Sequence, residues 1–253
     1  MSSQPSVQSG VRILSLLETL SKCGYAGITE LSQLTGLNKT TVYRLIGTLA
    51  EQNYVRQDKK TGKYYLTYKL LTVADRIKDH IDLVAVVRPH LEDLCDKTGE
   101  TVHFVLREGV DVVYIDKVES LKNTFRMVSR IGLHHSAFST GVGKAILAHL
   151  PDDKIRVLWD AADIAPRTYN TITNYDDFIK EIYNIRETGY AKDQEENELG
   201  VSCVAVALRD YTGVVNNAFS ISAPASRMTP ERIGEFAEML IQTKMNIQAE
   251  IDG

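Results

Sequence analysis

Thr35-Gly36-Leu37-Asn38-Lys39-Thr40-Thr41-Val42-Tyr43-Arg44-Leu45-Ile46-Gly47-Thr48-Leu49 is the stretch on which the fold turns. Val42, Leu45, Ile46 and Leu49 stand at i, i+3, i+4 and i+7, so the spacing predicts a helix from Lys39 to Gln52 with one buried stripe. Asn38 is a good N-cap for it, and Gly36 lies where a tight helix-to-helix turn asks for positive φ. Thr40 and Arg44 project from the opposite face, flanked by Thr41, Tyr43, Gly47 and Thr48. A helix of this kind suits a DNA major groove: Arg supplies a fork for guanine or phosphate, and hydroxyls reach phosphates or base edges. Any solvated helix also shows Thr and Arg outward. The DNA reading therefore rests on what precedes it: a short helix, about Thr29 to Thr35, offering Leu31 and Leu34 to a core, and then the glycine turn.

Further upstream, Val11, Leu14, Leu17 and Leu20, with Ile13 and Leu16 beside them, recur at helical spacing until Gly24 and Gly27 break the pattern. Downstream, two short strands within Tyr54–Leu66 flank a turn carrying Lys59, Lys60, Gly62 and Lys63. A basic hairpin after a recognition helix reads as a wing for phosphates. A merely solvated tip would carry either sign, and here three lysines face the single Asp58. Leu66 to Lys78 is amphipathic and reads as a linker helix. The organisation expected is thus a winged helix-turn-helix over 1–66, a linker helix over 67–81 and a second domain over 82–253.

Charge follows the same division. Residues 1–80 hold 11 Lys and Arg against 6 Asp and Glu, a net +5, while the remainder holds 18 against 27, a net −9. A basic head on an acidic body suits a polyanion at one end and a different partner at the other. The 253 residues, 43% apolar and 25% charged, are enough for buried cores without staples. No apolar run reaches the roughly 18 residues of a membrane helix. Met1–Gly10 lacks the basic and apolar regions of a signal peptide. Cys23, Cys95 and Cys203 are odd in number and far apart, which argues against a disulfide framework or cysteine zinc site and fits a reducing cytoplasm.

The body alternates helices and strands. A helix is expected over 82–98 with Pro89 inside it, then strands at Thr101–Arg107, Val112–Val118 and Thr124–Arg130. Helices begin near Val142, Asp152 and Asn174; strands Val201–Leu208 and Val214–Ser222 follow, and a closing helix starts at Thr229. The last two strands are asymmetric. Val204, Val206, Leu208, Phe219 and Ile221 fall on one face; Cys203, Ala205, Ala207, Ala218, Ser220 and Ser222 fall on the other. The small face leaves room either for a ligand hydrogen-bonded to Ser220 and Ser222 or for a closely packed helix, and periodicity does not choose.

Ser139-Thr140-Gly141-Val142-Gly143-Lys144-Ala145 superficially suggests a phosphate loop. Phe138 and Ala145 stand where that motif needs Gly and Ser or Thr, so nucleotide hydrolysis is disfavoured. A glycine-rich helix entry still offers N–H groups to a carboxylate, or serves only as a tight hinge. Asp193, Glu195, Glu196 and Glu198 form an acidic cluster that reads as a solvated loop rather than a metal site. Were they on a strand, the adjacent His134 and His135 would point to opposite faces, and His103 with one of them makes an unpromising zinc site. Cys203 reads as a small buried residue, and no Ser–His–Asp constellation can be assembled. No metal or cofactor is expected.

The order of motifs resembles the IclR family of bacterial transcriptional regulators. The resemblance is carried by Val11-Arg12-Ile13-Leu14, Thr29-Glu30-Leu31, Thr35 through Leu45, Thr48-Leu49, Thr140 through Ala145, Leu147-Ala148, Gly189-Tyr190-Ala191, Asp193, Glu195-Glu196, Gly200-Val201-Ser202-Cys203, Ser220 through Pro224 and Ser226-Arg227. It covers nearly the whole chain. It implies an α+β protein: a winged helix-turn-helix, a linker helix and a GAF-like α/β effector domain on a central antiparallel sheet. It also implies dimers, often paired into tetramers, on palindromic operators in double-stranded DNA, with a small carboxylic acid, aromatic or sugar-derived catabolite as effector. By position, the family's effector contacts fall on Gly141, Val142, Asp193, Cys203, Ser220 and Ser222, a region that periodicity also marks as roomy. The sequence departs from the family pattern at Ser136, Phe138 and Thr67, where Pro, His and Gly are common.

The chain is therefore read as a cytoplasmic, effector-responsive DNA-binding regulator, a repressor, and not an enzyme. Its candidate DNA contacts are Lys39, Thr40, Thr41, Tyr43, Arg44, Thr48, Lys59, Lys60 and Lys63. Two rivals are an architectural DNA-binding protein without effector and a small-molecule enzyme with a localising head.

Overall fold

The computed structural model describes residues 7–78, 82–120, 129–210 and 212–252. The chain divides into two compact units, residues 1–81 and 82–253.

The first unit contains α1 (Gln8–Cys23), β1 (Tyr25–Ala26), α2 (Ile28–Thr35), α3 (Lys39–Glu51), β2 (Val55–Gln57), β3 (Tyr64–Leu66) and α4 (Lys69–Lys78). Its core is Leu16, Leu20, Ala26, Leu31, Val42, Ile46, Leu49 and Val55. Asn38 Oδ1 accepts from the Thr41 N–H at 2.8 Å and starts α3, after Gly36 has reversed the chain at φ +69°. The three strands form an antiparallel sheet in the order β1-β3-β2. β1 has only two residues, too short to carry a periodic signal.

Two expectations for this unit are corrected. Val11 and Leu14 are exposed, and α1 buries Leu16 and Leu20 instead, with Ile13 and Leu17 partly covered. Leu34 is likewise exposed, and α2 anchors through buried Leu31, with Ile28 partly covered. An apolar period specifies spacing, but where two stripes lie side by side the packing partner selects one. Thr67, at the family's Gly position, donates its hydroxyl to the Asn53 carbonyl at 2.5 Å and accepts from the Lys69 N–H at 3.2 Å, so it ties the turn after α3 to the start of α4.

The second unit runs α5 (Asp82–Thr98), β4 (Thr101–Glu108), β5 (Asp111–Val118), β6 (His134–Ser136), α6 (Gly141–Leu147), α7 (Asp152–Ala161), α8 (Tyr175–Thr188), β7 (Ala191–Gln194), β8 (Val201–Leu208), β9 (Asn217–Pro224), a 3-10 turn and α9 (Pro230–Asp252). α5 continues through Pro89. Six strands form one antiparallel sheet in the order β6-β5-β4-β9-β8-β7. Its bulky face, with Val102, Phe104, Val204, Val206, Phe219 and Ile221, packs on α5 and α9 through Leu91, Leu94, Phe236 and Leu240. The other face carries Val105, Val112, Ala205, Ala207 and Ala218 beneath α6, α7 and α8, with Ile146, Ile155, Trp159, Phe178 and Ile182. Phe138 belongs to this second layer, its ring 5.3 Å from Trp159 and 5.2 Å from Phe178.

The strands β6 and β7 escape the sequence reading, being only three and four residues long. Of the strand expected at 124–130, residues 124–128 lie outside the described residues, and Ser129 and Arg130 are not in a strand. β9 starts at Asn217 rather than Val214. Among the described residues, no helix is long and apolar enough to cross a membrane.

Candidate functional site

In the first unit, α3 presents Lys39, Thr40, Tyr43, Arg44 and Thr48 to solvent, with Thr41 half-buried. Tyr43 is 66% exposed, which no core role explains. Arg12 and Ser9 of α1 join Thr41, Arg44 and Thr48 around a 230 Å³ hollow. Arg12 and Ser9 were hidden from the sequence reading because they lie on another helix. Two guanidinium forks and three hydroxyls in one place make a good anion cradle.

The wing tip is an Asp58-centred turn whose Oδ1 accepts from Lys60 N–H and Thr61 N–H, both at 2.8 Å. Those bonds hold the Asp58 carboxyl below its ordinary pKa. Lys59 and Lys60 are exposed and free to meet phosphates. Lys63 is placed differently: its Nζ pairs with Glu30 Oε1 at 3.0 Å, while Glu30 Oε2 accepts from the Gly27 N–H at 2.8 Å. It ties the wing to the start of α2.

In the second unit, the small face of the sheet is shared. α6 covers Ala205, Ala207 and Ala218, whereas a pocket opens over Cys203, Ser220 and Ser222. The cavity is about 100 Å³. Strand register assembles this floor: Asp193 pairs across from Cys203, Cys203 from Ser222, and Ser220 from His103.

His103 is the centre of the polar lining. Its Nδ1 lies 3.2 Å from Ser222 Oγ and its Nε2 2.7 Å from Ser129 Oγ. Burial, helped by the charge of Lys117, lowers its pKa to about 3, so the imidazole is neutral and bridges two hydroxyls. Tyr114 stacks edge-on between His103 and His135, and the His135 Nδ1 is buried with no partner. Asp193 is pushed up to about 7, first by burial and then by the nearby Glu196 charge, against the pull of Lys144 and the Glu196 N–H. Burial pushes the Cys203 thiol up as well, which keeps it from acting as a nucleophile.

Of the effector contacts expected, Val142, Asp193, Cys203, Ser220 and Ser222 line this pocket. Gly141 lies against its wall, where an added Cβ would come within 2.8 Å of Cys203 Sγ. His103, Tyr114, Ser129, His135, Asn197 and Glu198 also line it and were not singled out as effector contacts. The available signal was the interruption of apolar β4 by Thr101 and His103 on one face.

The glycine-rich entry to α6 is used internally. Thr140 Oγ1 accepts from the Gly143 N–H at 3.2 Å and donates to the Ser136 carbonyl at 3.0 Å. A Cβ on Gly143 would overlap the Ala137 backbone. Lys144 is fully buried, with Nζ 2.5 Å from Glu196 Oε1 and 3.8 Å from Glu181 Oε1, so it offers nothing to a phosphate. The acidic cluster is not a solvated loop: Asp193 and Glu196 are buried, Glu198 borders the pocket, and Glu195 closes a turn by accepting from Gly200 N–H. Among the described residues, no three His, Cys, Asp or Glu side chains are grouped to hold a metal.

Residues 76–249 match the domain described as bacterial transcriptional regulator IclR C-terminal, and residues 9–59 match the IclR helix-turn-helix domain. The chain is 35% identical over 246 residues to the HTH-type transcriptional regulator KdgR of Escherichia coli strain K12, covering 97% of this chain and 93% of that protein. It is 38% identical over 231 residues to the DNA-binding transcriptional repressor YiaJ of the same organism, covering 90% and 81%. The crystal structure of the Thermotoga maritima IclR superposes with a TM-score of 0.84 at 31% identity, covering 98% of this chain and 100% of that one. These relatives are named as regulators and repressors rather than enzymes.

Proposed function

The chain belongs to the IclR family of bacterial transcriptional regulators and is a DNA-binding regulator, and from that premise we propose that a small hydroxylated carboxylate in the His103–Ser222 pocket sets its grip on DNA. One observation carries the ligand class. Among the described residues, the pocket lining contains no lysine or arginine but offers hydroxyls, a neutral imidazole and an unpartnered, buried His135 Nδ1. A buried orphan of this kind needs a partner. Ser220, and whichever of Ser129 and Ser222 accepts the His103 N–H, can donate to a carboxylate, and Glu198 can accept from ligand hydroxyls. A bare polyanion would find too little positive charge there, whereas a sugar-derived hydroxy acid uses donors and acceptors together.

In this reading residues 1–66 are the DNA-binding head, 67–81 the linker and 82–253 the effector and assembly domain of a cytoplasmic repressor. Thr40, Thr41, Tyr43 and Arg44 enter the major groove of a palindromic operator, supported by Lys39 and Thr48, and Lys59 and Lys60 hold phosphates. Lys63 acts by holding the wing in place. Two heads of a dimer, or of a dimer of dimers, meet the two half-sites, and effector binding biases which spacing they adopt.

The test is a thermal-shift screen of the purified full chain against small hydroxy acids and sugar acids. A binding acid raises the melting temperature through RT ln(1 + [L]/Kd). The double variant Ser220→Ala/Ser222→Ala is expected to lose that shift, and the same acid is expected to change binding to the operator. An intact DNA interaction with no acid stabilising the protein would favour the architectural reading instead.

A further inference from the structure

We propose that the second unit holds another small-ligand site, at the meeting of α6, α8, α9 and β8, which takes an oxyanion bearing a hydroxyl, such as hydrogen phosphate or a hydroxy acid. The cavity there measures 270 Å³ and is bordered by Ala145, Ala148, His149, Arg186 and Lys244. Its ionisable borders are all basic, with no Asp or Glu among them. This is unexpected in the part of the chain beyond residue 80, where acidic residues outnumber basic ones by 27 to 18.

The three basic groups differ in what they have left to give. Arg186 is committed: its guanidinium donates to the Ala148 carbonyl at 2.8 Å and the Leu150 carbonyl at 2.7 Å, and pairs with Asp152 at 2.8 Å. It shapes the wall. The Lys244 ammonium has no hydrogen bond or ion pair among the described residues, and burial lowers its pKa from the ordinary lysine value. A half-buried ammonium without a counter-ion is costly, and an anion in the cavity would relieve that cost.

His149 sets the second requirement. Its Nδ1 lies 3.1 Å from the Ala145 carbonyl, which can only accept, so Nδ1 carries the proton. In the neutral ring Nε2 is then an acceptor. A ligand with only anionic oxygens would set lone pair against lone pair. One with both an anionic oxygen and a hydroxyl satisfies Lys244 with the first and His149 with the second. This cavity shares no lining residue with the His103–Ser222 pocket, yet both border α6: Thr140 and Val142 line one, and Ala145 and Ala148 the other. The inference stands independently of the effector proposed for that pocket.

The test is imidazole NMR of the full chain during titration with inorganic phosphate, with sodium sulfate and sodium chloride at matched ionic strength as references. The expected result is a saturable shift of the His149 resonances, with His103 and His135 unmoved and with weaker response to sulfate. Lys244→Met should weaken phosphate binding by about tenfold or more, the scale of one charged hydrogen bond, and Lys244→Arg should retain most of it. Lys244 has no partner within the described chain, so neither substitution strands a buried group; melting temperature and circular dichroism verify folding. A His149 signal that does not saturate, that responds identically in Lys244→Met, or that responds as strongly to sulfate would overturn the proposal.

Discussion

Lys144 Nζ meets Glu196 Oε1 at 2.5 Å across 52 residues of sequence, and the contact gives one carboxylate of the 193–198 run a structural partner while leaving Asp193 facing the pocket. Glu196 also fixes its neighbour, since its N–H donates to Asp193 Oδ1 at 2.8 Å. A lysine in a glycine-rich helix entry, which in the bare sequence hints at phosphate binding, is thereby a packing element.

Breaking that pair strands a buried charge. Lys144→Met is expected to destabilise the second unit by about 3–5 kcal/mol, because an unpaired buried carboxylate remains. The double variant Lys144→Met/Glu196→Leu should be less destabilised than Lys144→Met alone. Urea titrations of the full chains decide it, and equal losses in the single and double variants would mean the pair is not the source.

Two pocket groups give opposite pH dependences. Asp193, raised to about 7, stays protonated in the fold while the unfolded chain ionises near its ordinary value of about 3.9. Its contribution to stability is complete below about 3.9 and is lost as pH rises to about 7. Asp193→Asn should therefore gain stability relative to the parent from pH 4 to pH 7. His103, lowered to about 3, stays neutral where the unfolded chain protonates near about 6.5, so its contribution is present above that pH and lost on acidification toward about 3. His103→Gln should flatten the acid limb. Denaturation midpoints at several pH values test both slopes.

Arg44 and the wing lysines are expected to differ in kind. Arg44→Ala should cost about 1–3 kcal/mol of operator affinity and relax sequence preference if its fork reads a base. Lys59→Ala or Lys60→Ala should weaken binding to all DNA alike and reduce the dependence on salt by about one ion each. Lys63→Ala should have a smaller salt effect, because its charge is already paired with Glu30. Binding isotherms across a salt series separate these patterns.

Gly143→Ala tests the seat of α6. Its added methyl has no room against the Ala137 backbone, and overpacking of this sort costs about 1–3 kcal/mol. A lowered melting temperature of the full chain is expected. A variant as stable as the parent would mean that the loop carrying Ala137 yields freely.

Much of this protein was legible from local pattern. The α3 stripe, its Asn38 cap, the lysine-tipped wing and the two unlike faces of β8 and β9 follow from periods of 3.6 and 2 and from the steric habits of Asn and Gly. Such features are set by residues within a few positions of one another, so the amino-acid order alone determines them. Tertiary structure decided the rest. It selected Leu16 and Leu20 over Val11 and Leu14, turned Leu34 outward, and buried Lys144 against Glu196. It also drew His103, Ser129, Asp193, Cys203 and Ser222 to one pocket. Those outcomes depend on strand register and on which surface packs against which helix, and both are settled by packing between segments far apart in sequence, where no local period carries the information.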